Sequence, residues 1–149
     1  EEKTKGLTIG GIFLKDSLKL QANSDGDVIL HAIFNALSQA IGDMSLGFYA
    51  DKECKRGVKD SKEYLKLILK KIKKEKFKIN SIGIMIEASI PKIDPLVSAM
   101  KKSLSSILGL PPQRIGITAT TGEEGSVFGE GLGMQCFVIA SLIKENISK

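Results

Sequence analysis

Apolar residues recur at Ile29, Leu30, Ile33, Phe34, Leu37 and Ile41. That spacing places them on one buried helical face. Asp27, His31, Asn35 and Ser38 fall four, four and three residues apart on the other side. The predicted first helix, residues 25–41, therefore carries one polar seam. Ser24 is its predicted N-cap, with Asp25 and Asp27 in the first turn where the helix dipole favours negative charge. Gly42 is the predicted stop.

Ahead of this helix, residues 7–14 read as one strand, with Gly10-Gly11 permitting a bulge or a close backbone approach. Lys15-Asp16-Ser17 reads as a turn and residues 18–21 as a short strand. Residues 43–59 read as a long irregular connection, a length that usually signals function. Asp60 or Ser61 caps a second predicted helix to about residue 75, with Leu65, Ile68, Leu69 and Ile72 as its apolar stripe.

Residues 77–88 are a predicted strand with Ile82, Ile84 and Ile86 on one face, ended by Pro91. Asp94-Pro95 opens a third helix that buries Leu96, Met100, Leu104, Ile107 and Leu108 and stops at Gly109. Residues 114–121 and 132–143 are the last predicted strands, separated by a glycine-rich loop. Strands and helices alternate without a repeat, so one α+β domain over residues 1–149 is expected, with helices on one face of a sheet.

Composition changes this picture little. Hydrophobic residues make up 42% and charged residues 26%, ordinary for a globular chain. No apolar run has the length of a membrane span, and no signal-peptide pattern is present, although the sequence opens at Glu1. The net charge of +5 owes much to Lys70, Lys71, Lys73, Lys74 and Lys76. An apolar stripe runs between these lysines and no aromatic residues are interleaved for base stacking. They read as a solvated helix face rather than a nucleic-acid site. Cys54 and Cys136 have neither metal nor redox spacing. A reduced compartment is the default, with a single disulfide left open.

The string Ser24-Asp-Gly-Asp-Val-x-x-His31-Ala resembles the signature of the 2-C-methyl-D-erythritol 2,4-cyclodiphosphate synthase family. The likeness continues through Gly42-Asp43-Met44, Lys59-Asp60-Ser61-x-Glu63-x-Leu65, Pro91-Lys92 and Ala119-Thr120-Thr121-x-Glu123. It ends near Gly131-x-Gly133-x-x-Cys136. The blocks keep the family's order over nearly the whole sequence. The resemblance implies a ferredoxin-like mixed sheet and a homotrimer with active sites between subunits. It also implies a bacterial-type cytoplasmic or plastid-type setting. The implied reaction is intramolecular attack of a substrate phosphate on a cytidine-linked diphosphate, releasing CMP.

The same resemblance assigns residues. His31 is the one zinc ligand carried over; the family's other two come from an Asp-x-His strand whose place would precede Glu1. Glu123 corresponds to the ligand of a second ion, magnesium or manganese, between the phosphates. Thr121 and Asn23 are the implied catalytic residues beside the diphosphate. Thr120 and Ser24 also contact substrate. Ala88, Pro91, Lys92 and Ile93 enclose the cytosine, Asp43 takes the polyol hydroxyls, and Asp51 is a weaker candidate in the substrate loop.

Four departures stand out. Asn23 replaces a frequent histidine, Asn35 an aspartate, and Gly122 a threonine or serine. Glu130 stands where the family has arginine in Gly-Arg-Gly-Glu-Gly. A non-catalytic trimer that keeps the fold and binds a nucleotide or protein is the alternative reading. The arginine of the family faces the trimer's central channel, where a phosphorylated isoprenoid can bind. Glu130 reverses that charge, so no prenyl diphosphate is expected to bind there. Calorimetric binding in the channel, lost on mutation of Glu130, would overturn that expectation.

Overall fold

A computed structural model of the chain describes residues 5–18 and 25–146. The elements in order are β1 (Lys5–Ile9), β2 (Ile12–Leu18), α1 (Val28–Ala40), α2 (Leu46–Lys55), α3 (Ser61–Lys74), β3 (Phe77–Glu87), α4 (Val97–Leu108), β4 (Ile115–Thr120) and β5 (Gln135–Lys144). β3 lies at the centre of a mixed sheet, parallel to β4 and antiparallel to β5. α1 packs over β5, α3 against β3 and α4 against β4. Ile82, Ile84 and Ile86 of β3 point into the layer between helices and sheet and are buried. They meet Ile33, Phe34 and Leu37 of α1, and Leu65 and Ile68 of α3, in one core cluster. The α+β class, the mixed sheet and the helices on one face are as expected. No described helix is long and apolar enough to cross a membrane.

The predicted strand over residues 7–14 is instead a hairpin. β1 and β2 pair antiparallel, with Ile9 opposite Ile12, and Gly10-Gly11 form the two-residue turn. Both glycines have positive φ, +57° and +76°, as such a turn requires. Lys15-Asp16-Ser17 lies within β2 rather than at a turn, because pairing with β1 continues to Leu18. The rest of the predicted strand over residues 18–21 lies outside the described residues.

α1 begins three residues later than predicted. Its N-cap is Asp27, whose Oδ1 accepts from the Ile29 and Leu30 amides at 3.1 and 3.0 Å. Gly26 has φ +71°, which keeps the chain before Asp27 out of the helix. The predicted cap, Ser24, lies outside the described residues. Asp25 is not in the first helical turn. It reaches sideways to α3, where Oδ2 accepts from the Ser61 amide at 3.0 Å.

The predicted irregular connection over residues 43–59 contains α2. Leu46 is its one buried residue, so the period that betrays a helix in sequence is too weak to read. Asn35 on α1 accepts from the Leu46 amide at 2.9 Å and fixes where α2 starts. α3 begins at the predicted place, with Asp60 as N-cap. α4 ends as predicted at Gly109 in the left-handed region, φ +64°.

Asp27 is wholly buried, and its carboxylate also accepts from the turn amides of Gly10 and Gly11 at 2.9 and 2.7 Å. Burial pushes this carboxyl up, while the backbone donors pull it down. Removing it orphans four backbone N–H groups, one pair in the hairpin turn and one at the helix start. Asp27→Ala is expected to lower unfolding free energy by at least about 3 kcal/mol, measured by urea denaturation. A loss under about 1 kcal/mol, no more than one ordinary exposed cap, would show that water replaces the carboxylate there.

Candidate active site

Parallel strands bring their carboxyl ends to the same edge of a sheet. Here Glu87 at the end of β3 stands beside Thr120 at the end of β4. The segments that follow them, residues 88–95 and 121–133, therefore leave the sheet together. The Ala88 amide donates to the Thr120 carbonyl at 3.0 Å, and the Ser89 amide to the Phe128 carbonyl at 3.3 Å.

Two adjoining hollows open between these segments. One, of about 320 Å³, is lined by Ala88, Lys92, Ile93, Asp94, Pro95, Ala119, Thr120 and Thr121. Its walls are largely aliphatic, and its size suits a small planar ring. The second, of about 380 Å³, is lined by Ser89, Lys92, Thr121, Glu123, Glu124 and Gly129. Lys92 and Thr121 belong to both. Of the predicted site residues, Ala88, Lys92, Ile93, Thr120, Thr121 and Glu123 thus meet in one cleft. Pro91 lies between two of them in the chain, after a cis Ile90–Pro91 bond.

The threonines are set to donate outward. Thr120 Oγ1 accepts from the Gly122 amide at 3.2 Å and Thr121 Oγ1 from the Glu123 amide at 3.3 Å. Each hydroxyl keeps its own proton for an acceptor in the cleft. Glu123 and Glu124 both have positive φ, 47° and 62°, a conformation that costs non-glycine residues energy and gathers at functional loops. Among the described residues, Lys92 is the single cation lining the two hollows, against Asp94, Glu123 and Glu124. A diphosphate would meet net negative charge here, so the cleft suits an anion that arrives with a hard cation. Glu123 offers carboxylate oxygen for such an ion, which takes one or two carboxylates plus substrate oxygens.

His31 lies elsewhere, on the first turns of α1. Its Nε2 is 2.8 Å from Ser61 Oγ, and that hydroxyl donates to Asp25 Oδ1. Ser61 must then accept from Nε2–H, which puts the imidazole lone pair on Nδ1. Burial pushes the imidazole pKa down, with Asp25 and Asp27 pulling the other way. A neutral ring with a fixed tautomer is what a zinc ligand needs. Among the described residues, however, no three His, Cys, Asp or Glu side chains gather to hold an ion. Asn23 and Ser24 lie outside the described residues.

Asp43 follows the far end of α1, roughly 18 Å along the helix from His31 at the usual rise. Its Oδ2 accepts from Lys71 Nζ at 2.6 Å. Its Oδ1 accepts from Tyr49 Oη at 2.5 Å and from the Met44 amide at 2.7 Å. Lys71 also sits 4.5 Å from the Tyr49 ring centre. Asp43 is therefore already engaged by a lysine and a phenol on α3 and α2. Asp51 is an exposed residue of α2. Cys54 and Cys136 are not joined; burial and the nearby Asp27 push the Cys136 thiol up to about 12.

A family model described as the YgbB family matches residues 1–143. The chain belongs to the YgbB family. Over 145 residues it is 41% identical to a Chlamydia abortus protein named 2-C-methyl-D-erythritol 2,4-cyclodiphosphate synthase, covering 97% of this chain and 82% of that relative. A Chlamydia caviae protein of the same name is 41% identical over 143 residues, covering 95% and 81%. Among solved structures, the Plasmodium falciparum IspF in complex with CDP superposes with a TM-score of 0.83 at 29% identity, covering 98% of this chain and 87% of that one. The mixed-sheet α+β fold is the one this family has.

Sequence reasoning missed the partners that hold the site residues. Ser61 and Asp25, which orient His31, both lie inside the blocks that carry the family resemblance, and their pairing across thirty-six positions leaves no trace in spacing. Lys71 was legible only as one lysine of a solvated face, yet it is the partner of Asp43.

Lys71, with Tyr49 and the Met44 amide, holds the Asp43 carboxyl at about 2, below its ordinary 3.8. A carboxyl depressed on folding stabilises the fold fully above its unfolded value and loses that contribution as pH falls through the folded one. The urea midpoints of wild type and Asp43→Asn should therefore differ near neutrality and converge between about pH 4 and pH 2. A gap unchanged across that window would show that the ion pair does not form in solution.

Proposed function

We infer that this chain, as a single domain, converts 4-diphosphocytidyl-2-C-methyl-D-erythritol 2-phosphate to 2-C-methyl-D-erythritol 2,4-cyclodiphosphate and releases CMP. It is a phosphorus–oxygen lyase of non-mevalonate isoprenoid biosynthesis. The observation that carries this reading is the pair of adjoining hollows sharing Lys92 and Thr121, in a chain of the YgbB family. One hollow has the walls for a pyrimidine; the other has the donors and the carboxylate for a diphosphate and its cation.

In the reaction an oxygen of the 2-phosphate attacks the β-phosphorus. The bond from that phosphorus to the bridging oxygen breaks, and CMP leaves with that oxygen. Two anionic groups must approach, so positioning and charge compensation dominate over covalent chemistry. Ala88, Ile93 and the neighbouring Pro91 hold the cytosine. Thr120 and Thr121 donate to the diphosphate, and Lys92 bridges base and phosphate sides. Glu123 holds the magnesium or manganese ion, which when bound neutralises charge on the phosphates. Asn23, Ser24 and Asp43 are assigned to the remaining substrate contacts. For Asp43 that role requires it to exchange Lys71 or Tyr49 for substrate hydroxyls.

Zinc is assigned through His31, whose tautomer suits it. A tight centre needs ligands from outside the described residues, since one imidazole does not suffice. The assembly we assign is a homotrimer with sites between subunits. The outward sheet face supports it: Met85 and Phe137 are cross-strand partners, Ile139 is the next outward residue of β5, and they are 48%, 59% and 80% exposed. Such a contiguous apolar face marks an interaction surface, and a second copy presents the same face. His31 and Asp43 do not converge within one chain, which also favours sites built from more than one. A bacterial-type cytoplasm or plastid-type organelle is the assigned setting.

The test is CMP release from the authentic substrate with zinc and magnesium present. Thr121→Ala is expected to lower kcat/KM by about a hundredfold, and His31→Ala to abolish release. Zinc near one per chain accompanies catalysis. No release together with zinc near none would favour the non-catalytic trimer.

A further inference from the structure

The outstanding carboxylate near the cleft is one with no assigned role. Glu87 ends β3, directly across from Gln135 at the start of β5. Its Oε2 accepts from Gln135 Nε2 at 2.5 Å, and its Oε1 accepts from Ser126 Oγ. Ser126 Oγ in turn accepts from the Gly129 amide at 3.1 Å. One carboxylate thus joins the end of β3, the beginning of β5 and two points of the loop between β4 and β5. These hydrogen bonds hold the carboxyl below the usual carboxylate range.

Both sides of the turn that carries Glu123 rest on this chain of contacts. A Cβ at Gly129 would come within 2.9 Å of the Thr121 carbonyl and the Glu124 amide, so that glycine lies flat against the turn. On the other side, a Cβ at Gly122 would overlap the Glu87 carboxylate. Gly122 stands where the resembling family has threonine or serine. The space such a side chain would need is filled here by a carboxylate arriving from β3.

We propose that Glu87 is a positioning residue for the reaction. Acting through Ser126, Gly129 and Gly122, it fixes the Thr121–Glu124 turn and so sets where Thr121 donates and where Glu123 meets the divalent ion. Glu87 itself touches neither substrate nor ion. The assignment rests on the reading of the cleft as a cytidine-diphosphate and metal site, and it names a device that stands in for the missing hydroxyl residue at 122.

The test uses the 149-residue chain and its Glu87→Ala and Glu87→Gln variants, with CDP and Mn²⁺ as probes. Calorimetry should show Mn²⁺-dependent CDP binding weakened about tenfold or more in Glu87→Ala, the usual cost of losing a residue that orients a ligand. Glu87→Gln, whose side-chain oxygen still accepts from Ser126, should recover most of that loss. A residue that merely held the fold would lower thermal stability and leave the affinity of the remaining folded protein unchanged. Hydrogen exchange gives the second readout: the Gly129 amide should exchange faster in Glu87→Ala, with core amides of β3 unchanged. CDP and Mn²⁺ affinities that are indifferent to Glu87→Ala overturn the proposal. If wild type binds no CDP, the cleft reading fails with it. In that case unchanged exchange at Gly129 would show that the latch is absent as well.

Discussion

One buried carboxylate decides how the layers of this protein meet. Among the described residues, Asp27 accepts from four backbone amides, two from the hairpin turn and two from the start of α1. A helix start and a tight turn each leave N–H groups that must find acceptors when buried. Here one side chain serves both, so neither element can be placed without the other. The turn glycines are themselves wedged against α4: side chains at Gly10 and Gly11 would meet Met100, Ser103 and Ile107. Asp27 thereby links α1 to the hairpin, whose turn lies against α4. His31 lies one helical turn beyond it, so the same anchor sets where the histidine stands, while Ser61 and Asp25 set its ring.

The cleft depends on a different constraint, the parallel pairing of β3 and β4. Parallel neighbours deliver successive segments to one end of the sheet, however far apart they are in sequence. Residues 88–95 and 119–124 meet for that reason, joined by the bond from the Ala88 amide to the Thr120 carbonyl. His31 and Asp43 answer to α1 instead, at its two ends. The candidate site residues are therefore divided between a sheet edge and a helix.

The sequence conveys these parts unevenly. α1, α3, α4 and β3 were legible because each buries a regular stripe, and periodicity is a direct image of burial. The cleft residues were legible because they cluster in blocks of characteristic type, Thr-Thr-x-Glu and Pro-Lys. α2 was not, since with only Leu46 buried it has no stripe to show. The hairpin was misread as one strand because Gly10-Gly11 is compatible with either a bulge or a turn, and only the amide contacts with Asp27 separate the two. The N-cap of α1 was displaced because Ser24 and Asp27 are both good caps, and the choice is made by the hairpin packed against Asp27. Long-range polar partners, such as Ser61 for His31 or Lys71 for Asp43, have no local spacing at all.

The close fit between Glu87 and Gly122 couples two positions that lie thirty-five residues apart. A side chain at 122 would have to push the carboxylate aside, in a backbone conformation, φ +69°, that already favours glycine. Restoring a hydroxyl there would therefore disturb the contacts of Glu87 with Ser126 and Gln135. The two residues are exchanged at lower cost together than one at a time.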